Sequence, residues 1–377
     1  MYKSSQIFQI FLFRVSILYF FLVKSNTTKP YIPDLDLSTT TLDHEKTGIW
    51  IKAQTGDHLG RSVNTAGDFN DDGYDDMMIG APYNNGNTGI VYIIYGKPGS
   101  SLQDIDLSSV TLNPATTGLT IKGNALGDQF GISVSTAGDI NKDGIDDIVI
   151  GAWQRDNYKG VAYVIYGTKT PSNLDLSFDI LSPSATGFTI QAPSVNNELF
   201  GFSVSNAGDF NKDGADDLLI GAYRKNGYQG AAYLIYGGGT RSDINLATTP
   251  LDPLTTGFMI TGENTNDRFG YSVSFAGDVN NDGFADIIIG AMQKGTTGAA
   301  YVIYGRSNPT DINLGTTPLI PTSTGFRILG ASGDYLGRGV SAGNINGDEY
   351  DDIVVGAYKH GASEEGMTYV IYGGPKS

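Results

Sequence analysis

Five short stretches of this chain are built largely from oxygen-bearing side chains at a fixed spacing. The first reads Asp68-Phe69-Asn70-Asp71-Asp72-Gly73-Tyr74-Asp75-Asp76. Counting Asp68 as position 1, carboxylate or amide oxygens stand at positions 1, 3, 5 and 9. A backbone carbonyl is available at position 7. Such a set can wrap one hard cation, and six to eight oxygens at flexible distances suit calcium better than magnesium. Glycine at position 6 supplies the left-handed backbone that folds the chain back around an ion.

The expected ligands of the first loop are therefore Asp68, Asn70, Asp72, Asp76 and the carbonyl of Tyr74. The second set is Asp139, Asn141, Asp143, Asp147 and Ile145; the third is Asp209, Asn211, Asp213, Asp217 and Ala215; the fourth is Asp278, Asn280, Asp282, Asp286 and Phe284. Position 8 is Asp75, Asp146, Asp216 and Asp351 but Ala285 in the fourth loop, so it reads as a non-ligand. The fifth loop carries Asn344, Asn346, Asp348 and Asp352, with Glu349 where the turn glycine stands elsewhere. One carboxylate fewer and a poorer turn residue make it a weak or empty site. The expectation is four calcium ions, or five if the last loop also binds. EF-hand loops are excluded, because position 12 is an isoleucine inside a strand-like run (Ile79, Ile150, Ile220, Ile289) rather than a bidentate glutamate. Asp-Asn-Gly clusters also make plain β-turns. Four loops of identical spacing, in register with a longer repeat, favour the ion. Its role would be structural, neutralising carboxylates that otherwise repel.

The elements that must position these loops recur about every 70 residues. Each unit opens on an aromatic or leucine before glycine (Leu59-Gly60, Phe130-Gly131, Phe200-Gly201, Phe269-Gly270, Leu336-Gly337), followed by a short alternating run and the acidic loop. An apolar run ending in Gly-Ala follows, such as Ile148-Val149-Ile150. A second run then carries a repeated tyrosine (Tyr92, Tyr163, Tyr233, Tyr301, Tyr369), which reads as a core stripe. A Ser/Thr/Pro-rich connection leads to a Gly-led strand. Short, β-branched, glycine-bounded runs predict strands, and no window shows a capped helical period. The fold class expected is all-β: a β-propeller of four-stranded antiparallel blades, five repeats in all. Strand counting favours a closed five-bladed ring over an incomplete seven-bladed one, with residues 48–52 supplying the fourth strand that closes the last blade.

These residues resemble the FG-GAP repeat, the blade unit of the integrin α-subunit N-terminal propeller. Phe130-Gly131 and Gly151-Ala152 carry the name-giving dipeptides, and Gly80-Ala81-Pro82 is the full Gly-Ala-Pro. The resemblance covers residues 34 to 374 or so. It implies a propeller with calcium in the loops between first and second strands, on the ligand sets above. Integrin propellers have seven blades where five are counted here. No inserted ligand-binding domain, leg domain, membrane helix or cytoplasmic tail is seen in the sequence, so the resemblance speaks to the propeller alone.

The chain has 377 residues, 40 acids against 24 bases, a net charge of -16, 51 glycines and no cysteine. So acidic a balance argues against a nucleic-acid partner, and the missing cysteine removes disulfides and thiolate chemistry. Residues 1–25 read as a signal peptide: Lys3, then an apolar stretch over residues 7–23 broken by Arg14, then small residues before a cut after Ser25. The alternative is an uncleaved membrane anchor. Residues 26–47 form an N-terminal segment opening on a glycosylation sequon at Asn26, and residues 48–374 form the propeller. The expected location is secreted or extracellular.

An enzyme needs a constellation outside the repeat. His44, His58 and His360 have no clear counterparts in other repeats. The Gly-x-Ser-x-Ser runs at Gly131, Gly201 and Gly270 recur on strands and read as structural. The reading is a non-enzymatic, calcium-binding recognition or adhesion module for a protein partner. Its candidate surface is the loops Tyr83–Thr88, Gln154–Lys159, Arg224–Tyr228 and His360–Glu365. The alternative is a glycan-binding lectin, or a glycan-directed hydrolase using the central face.

Overall fold

The computed structural model describes residues 37, 42–43, 47–99, 101–193, 197–238 and 241–375. The signal segment, Asn26 and His44 lie outside the described residues. The chain divides into a small unit, residues 1–50 and 99–105, and a large one, residues 51–98 and 106–377. In the small unit Asp43 and Thr47 close a turn: the Asp43 N–H donates to Thr47 Oγ1 at 2.7 Å and the Gly48 N–H to the Asp43 carbonyl at 3.1 Å.

The large unit is all-β. Its five repeats make five sheets whose consecutive strands pair antiparallel. The first is Ser62–Gly67, Asp76–Ala81, Ile90–Ile94 and Gly118–Lys122; the second is Ser133–Gly138, Asp147–Ala152, Val161–Ile165 and Gly187–Gln191. The third is Ser203–Gly208, Asp217–Ala222, Ala231–Ile235 and Gly257–Thr261; the fourth is Phe269–Gly277, Asp286–Ala291, Ala299–Ile303 and Gly325–Leu329. The fifth has three strands, Leu336–Gly343, Asp352–Ala357 and Met367–Ile371.

The sheets are not wholly antiparallel, as the sequence suggested. A two-residue strand from the next connection adds parallel to the fourth strand in three of them, as Leu174–Asp175 does on Gly118–Lys122. Each Gly-led fourth strand is launched by one turn. A threonine hydroxyl accepts the N–H four residues back, as in Asn113/Thr117, Ser182/Thr186, Asp252/Thr256 and Ile320/Thr324.

The second strands are apolar on both faces, and the structure uses both. Ile148 and Ile150 pack with Met78, Ile93 and Phe130 between the first and second sheets, while Val149 joins Phe188, Phe200 and Leu218 between the second and third. Equivalent clusters join third to fourth and fourth to fifth. Tyr92, Tyr163, Tyr233 and Tyr301 are buried, as a core stripe requires. The Gly-x-Ser serines are structural: Ser62, Ser133, Ser203 and Ser272 each donate Oγ–H to the Gly131, Gly201, Gly270 or Gly337 carbonyl of the following sheet, at 2.8–3.0 Å.

The stacking is propeller-like, but closure is not seen. Among the described residues no apolar cluster joins the fifth sheet to the first. Among the described residues the fifth sheet keeps three strands, and no pairing of residues 51–52 with it is seen. Ile51–Lys52 instead forms a two-stranded sheet with Ile105–Asp106. That is the seat three of the four Gly-led fourth strands take on the next connection. The Leu107 N–H donates to the Lys52 carbonyl at 2.8 Å, and Lys52 pairs with Asp106 at 2.9 Å. The edge of Met367–Ile371 is left half-exposed, Tyr369 included. Gly339 stands in the fifth sheet where the junction serine stands in the others.

Candidate metal loops and the aromatic face

Each acidic loop lies between the first and second strands of its sheet, as expected. In the second loop Asp139 accepts the N–H groups of Asp143 and Gly144, each at 2.9 Å, one on each carboxylate oxygen. Asn141 Oδ1 accepts the Asp143 N–H at 2.8 Å, and Asp143 Oδ1 accepts the Ile145 N–H at 3.0 Å. The first and third loops repeat this pattern through Asp68, Asn70 and Asp72 and through Asp209, Asn211 and Asp213. Positions 1, 3 and 5 therefore fold the loop over their own oxygens. The turn glycines adopt φ near +90°, and position 4 is left-handed too (Asp71, Lys142, Lys212, Asn281). The position-7 residues Tyr74, Ile145, Ala215 and Phe284 each donate an N–H to the position-5 carboxylate.

Position 9 stands apart. Asp76, Asp147, Asp217 and Asp286 are buried beneath their loops. Asp147 accepts the Gly167 N–H at 2.9 Å and the Ile140 N–H at 3.1 Å, so it brackets the loop to the end of the third strand. Asp217 does the same through Gly237 and Phe210, and Asp286 through Gly305 and Val279. Burial pushes these carboxyls up, to about 8 for Asp147, Asp217 and Asp286 and about 7 for Asp76. The charges at positions 5 and 1 push the same way, and the N–H bonds only partly offset them.

This donor set fits a hard cation. It is all oxygen and three-quarters carboxylate in each of four loops. Asp76 Oδ2 and Asn280 Oδ1 are buried acceptors with no donor. Among the described residues, however, no three carboxylate or histidine side chains converge into a formed metal cage. The fourth loop differs in that Asn280 is buried and donates to Asp286 Oδ2 at 3.2 Å. The fifth differs more. Gly347 holds the left-handed position 4, but Glu349 at position 6 is not left-handed as the turn glycines are, and Asn344 accepts the Gly347 N–H at 2.6 Å. Glu349 accepts from Asn281 of the fourth loop at 3.2 Å. Asp352, although buried, accepts three N–H groups, from Gly373, Ile345 and Asn346. Burial raises its carboxyl, but those three bonds outweigh it and hold the group below the usual range.

Position 8 has a role that the sequence reading missed. Asp146 Oδ2 accepts the Asp68 N–H at 2.9 Å, Asp216 Oδ2 the Asp139 N–H at 3.1 Å, and Asp351 Oδ2 the Asp278 N–H at 2.9 Å. Each acid latches its loop to the preceding one. Gly67, Gly138 and Gly277 must be glycine there, because a Cβ would collide with the incoming carboxylate. In the fourth loop Ala285 turns its methyl to Gly208 instead, and the first loop's Asp75 is exposed. The only signal in the sequence was the acid's recurrence in register.

A second repeated pair lies near the Phe-Gly dipeptides. Buried Asp128, Glu198 and Asp267 pair with Arg155, Lys225 and Lys294 at 2.7, 2.8 and 3.2 Å. His360 takes this place in the fifth repeat, its Nδ1 2.9 Å from Asp334. It thus has the counterparts that the sequence reading denied it. His58 packs its ring against Tyr83, 4.6 Å between centroids.

Aromatic side chains gather from the positions just after Phe-Gly and Gly-Ala. Phe202, Tyr223 and Tyr271 lie 4.7, 5.0 and 5.1 Å apart between centroids. Trp153 meets Phe202 at 5.8 Å, while Tyr158 and Tyr228 reach in from two of the expected binding loops. Phe202 and Tyr271 line a recess of 340 Å³ to which the first strands of all five sheets contribute.

The FG-GAP repeat family matches residues 59–94, 130–165, 200–235, 269–303 and 336–371. Integrin alpha pat-2 of Caenorhabditis elegans is 29% identical over 277 residues, covering 71% of this chain and 21% of the relative. Integrin alpha-8 of Gallus gallus is 26% identical over 275 residues, 71% of this chain and 23% of the relative. Integrin alpha-V of Gallus gallus is 32% identical over 170 residues, 44% and 15% respectively. The chain thus spans about a fifth of the length of the curated relatives it matches.

Proposed function

The chain is an FG-GAP repeat protein with integrin α subunits among its relatives, and from that premise we propose that it is a secreted or cell-surface recognition module. It docks a protein partner on its aromatic face and is stiffened by calcium in four loops. The observation that carries this reading is the cluster of Trp153, Phe202, Tyr223 and Tyr271, two of which, Phe202 and Tyr271, line one recess. Half-buried aromatics flanked by arginine are the composition of protein-binding hot spots, because they bury large areas at little entropic cost. The repeats hold that face on stacked sheets, and the turns at Gln154–Lys159 and Arg224–Tyr228 vary it.

Calcium, when bound, supplies positive charge where three carboxylates of one loop crowd together. Asp68, Asn70, Asp72 and Asp76 would hold it in the first loop, with the counterpart sets in the next three. The fifth loop, without the left-handed turn at position 6, is the one that stays empty. Asp139 and Asp143 already grip the loop's N–H groups and keep lone pairs for an ion. The acids recur as scaffold in every repeat, which favours binding over catalysis.

The test is capture of a partner from the native cell surface. Tyr271→Ala should weaken capture about thirty-fold, the loss of roughly 2 kcal/mol that marks a hot spot. A Tyr271→Ala protein that stays folded and captures its partner undiminished would place the docking face elsewhere.

A further inference from the structure

The arginines around the aromatic recess are the anomaly of this acidic chain. Acids outnumber bases 40 to 24, and most cations near the Phe-Gly dipeptides have found one, as Arg155, Lys225, Lys294 and Arg327 have. Among the described residues Arg61, Arg224, Arg241, Arg268, Arg306 and Arg338 are in no ion pair, and four of them, Arg61, Arg224, Arg268 and Arg338, gather here. All four stand at the recess or on the aromatics beside it. Arg61 and Arg338 are exposed and line the recess directly. The Arg338 guanidinium lies 5.5 Å from the ring of Tyr271 and 4.6 Å from that of Tyr358, and it donates to the Tyr271 hydroxyl at 3.1 Å. Arg268 lies over Tyr223 and Tyr228 at 5.9 and 5.2 Å, its Nε buried with no acceptor. Arg224 lies 4.9 Å from Tyr228 and donates to Asn197 at 2.9 Å.

Two consequences follow. The aromatic faces already carry this chain's own guanidinium groups, so a cation offered by a partner would meet repulsion instead of free π-surface. Stacked guanidiniums with unfilled donors are oriented for carboxylates, which they can take two bonds at a time. The net negative charge of the chain disfavours long polyanions. We propose that the recess receives an acidic polypeptide segment of the partner, whose carboxylates pair with Arg338, Arg61 and the stacked arginines beside them. This rests on reading the aromatic face as the docking surface.

The probe is a fluorescein-labelled decaglutamate peptide, with binding to the full-length chain followed by anisotropy in calcium-containing buffer. Arg338→Gln and Arg61→Gln should each weaken binding about five-fold, as loss of a partly exposed ion pair does. Lys97→Gln, away from the recess, should not change it, and added salt should weaken it steeply. Both test arginines are exposed, so their variants should melt with the parent. Absence of binding, binding unchanged by both variants, or tighter binding of a sulfated polysaccharide or oligonucleotide through the same arginines would overturn the proposal. If a captured partner is lost with Tyr271→Ala but is indifferent to salt and to both arginine variants, the docking face stands and its acidic preference falls. If Tyr271→Ala leaves capture intact, both fall.

Discussion

Freed of divalent cations, the protein should lose stability as pH rises from 5 to 8, and excess calcium should reverse that trend. The position-9 carboxyls drive the effect. Unfolded, they titrate near 3.8; folded, they hold their protons to about 7 in Asp76 and about 8 in Asp147, Asp217 and Asp286. Across that interval the unfolded chain sheds protons that the folded chain keeps. Each group therefore stabilises fully below its unfolded value and loses that contribution as pH climbs through its folded one. Even about 1 kcal/mol from each of the four would lower the melting temperature by about 10 °C. Calcium binds the ionised loop, so in its presence rising pH should favour the fold. Melting curves in chelator and in calcium at pH 5.5 and pH 8 would show the crossing. Superimposed curves would separate these acids from any ion.

The second large effect is expected at the sheet junctions. Phe269 is fully buried between the third and fourth sheets, edge-on to Tyr301 at 5.3 Å. Phe269→Ala should cost about 4 kcal/mol, because transfer and cavity costs add in a core that cannot collapse. Tyr369→Ala, on the half-exposed face of the fifth sheet, should cost only about 1 kcal/mol. Urea unfolding of the two variants measures the difference. Equal costs would mean that the outer face of the fifth sheet is covered in solution.

Much of this architecture was legible in the residues. Runs such as Ile148-Val149-Ile150, apolar on both sides, demanded a sheet against each face, and the inter-sheet cores supply one. The tyrosine stripe and the junction serines followed from recurrence in register. What escaped was pairing between repeats. Strand counting assigned residues 48–52 to the last blade, but sequence does not say which edge a strand takes, and the pairing seen for Ile51–Lys52 is with Ile105–Asp106. The position-8 acids looked idle because their partners are backbone N–H groups more than 70 residues away. The aromatic face was hidden for a similar reason. Trp153, Phe202, Tyr223 and Tyr271 are scattered in sequence and meet only when successive sheets stack.

The most direct test of the calcium-loop assignment is the number of ions the chain holds. Calcium titrated calorimetrically into chelator-treated protein should saturate at about four ions per chain. Asp72→Ala and Asp143→Ala should each remove one, since each deletes one of the three carboxylates of its loop. A chain that takes up no calcium, or a stoichiometry untouched by both substitutions, would contradict the assignment of the four loops.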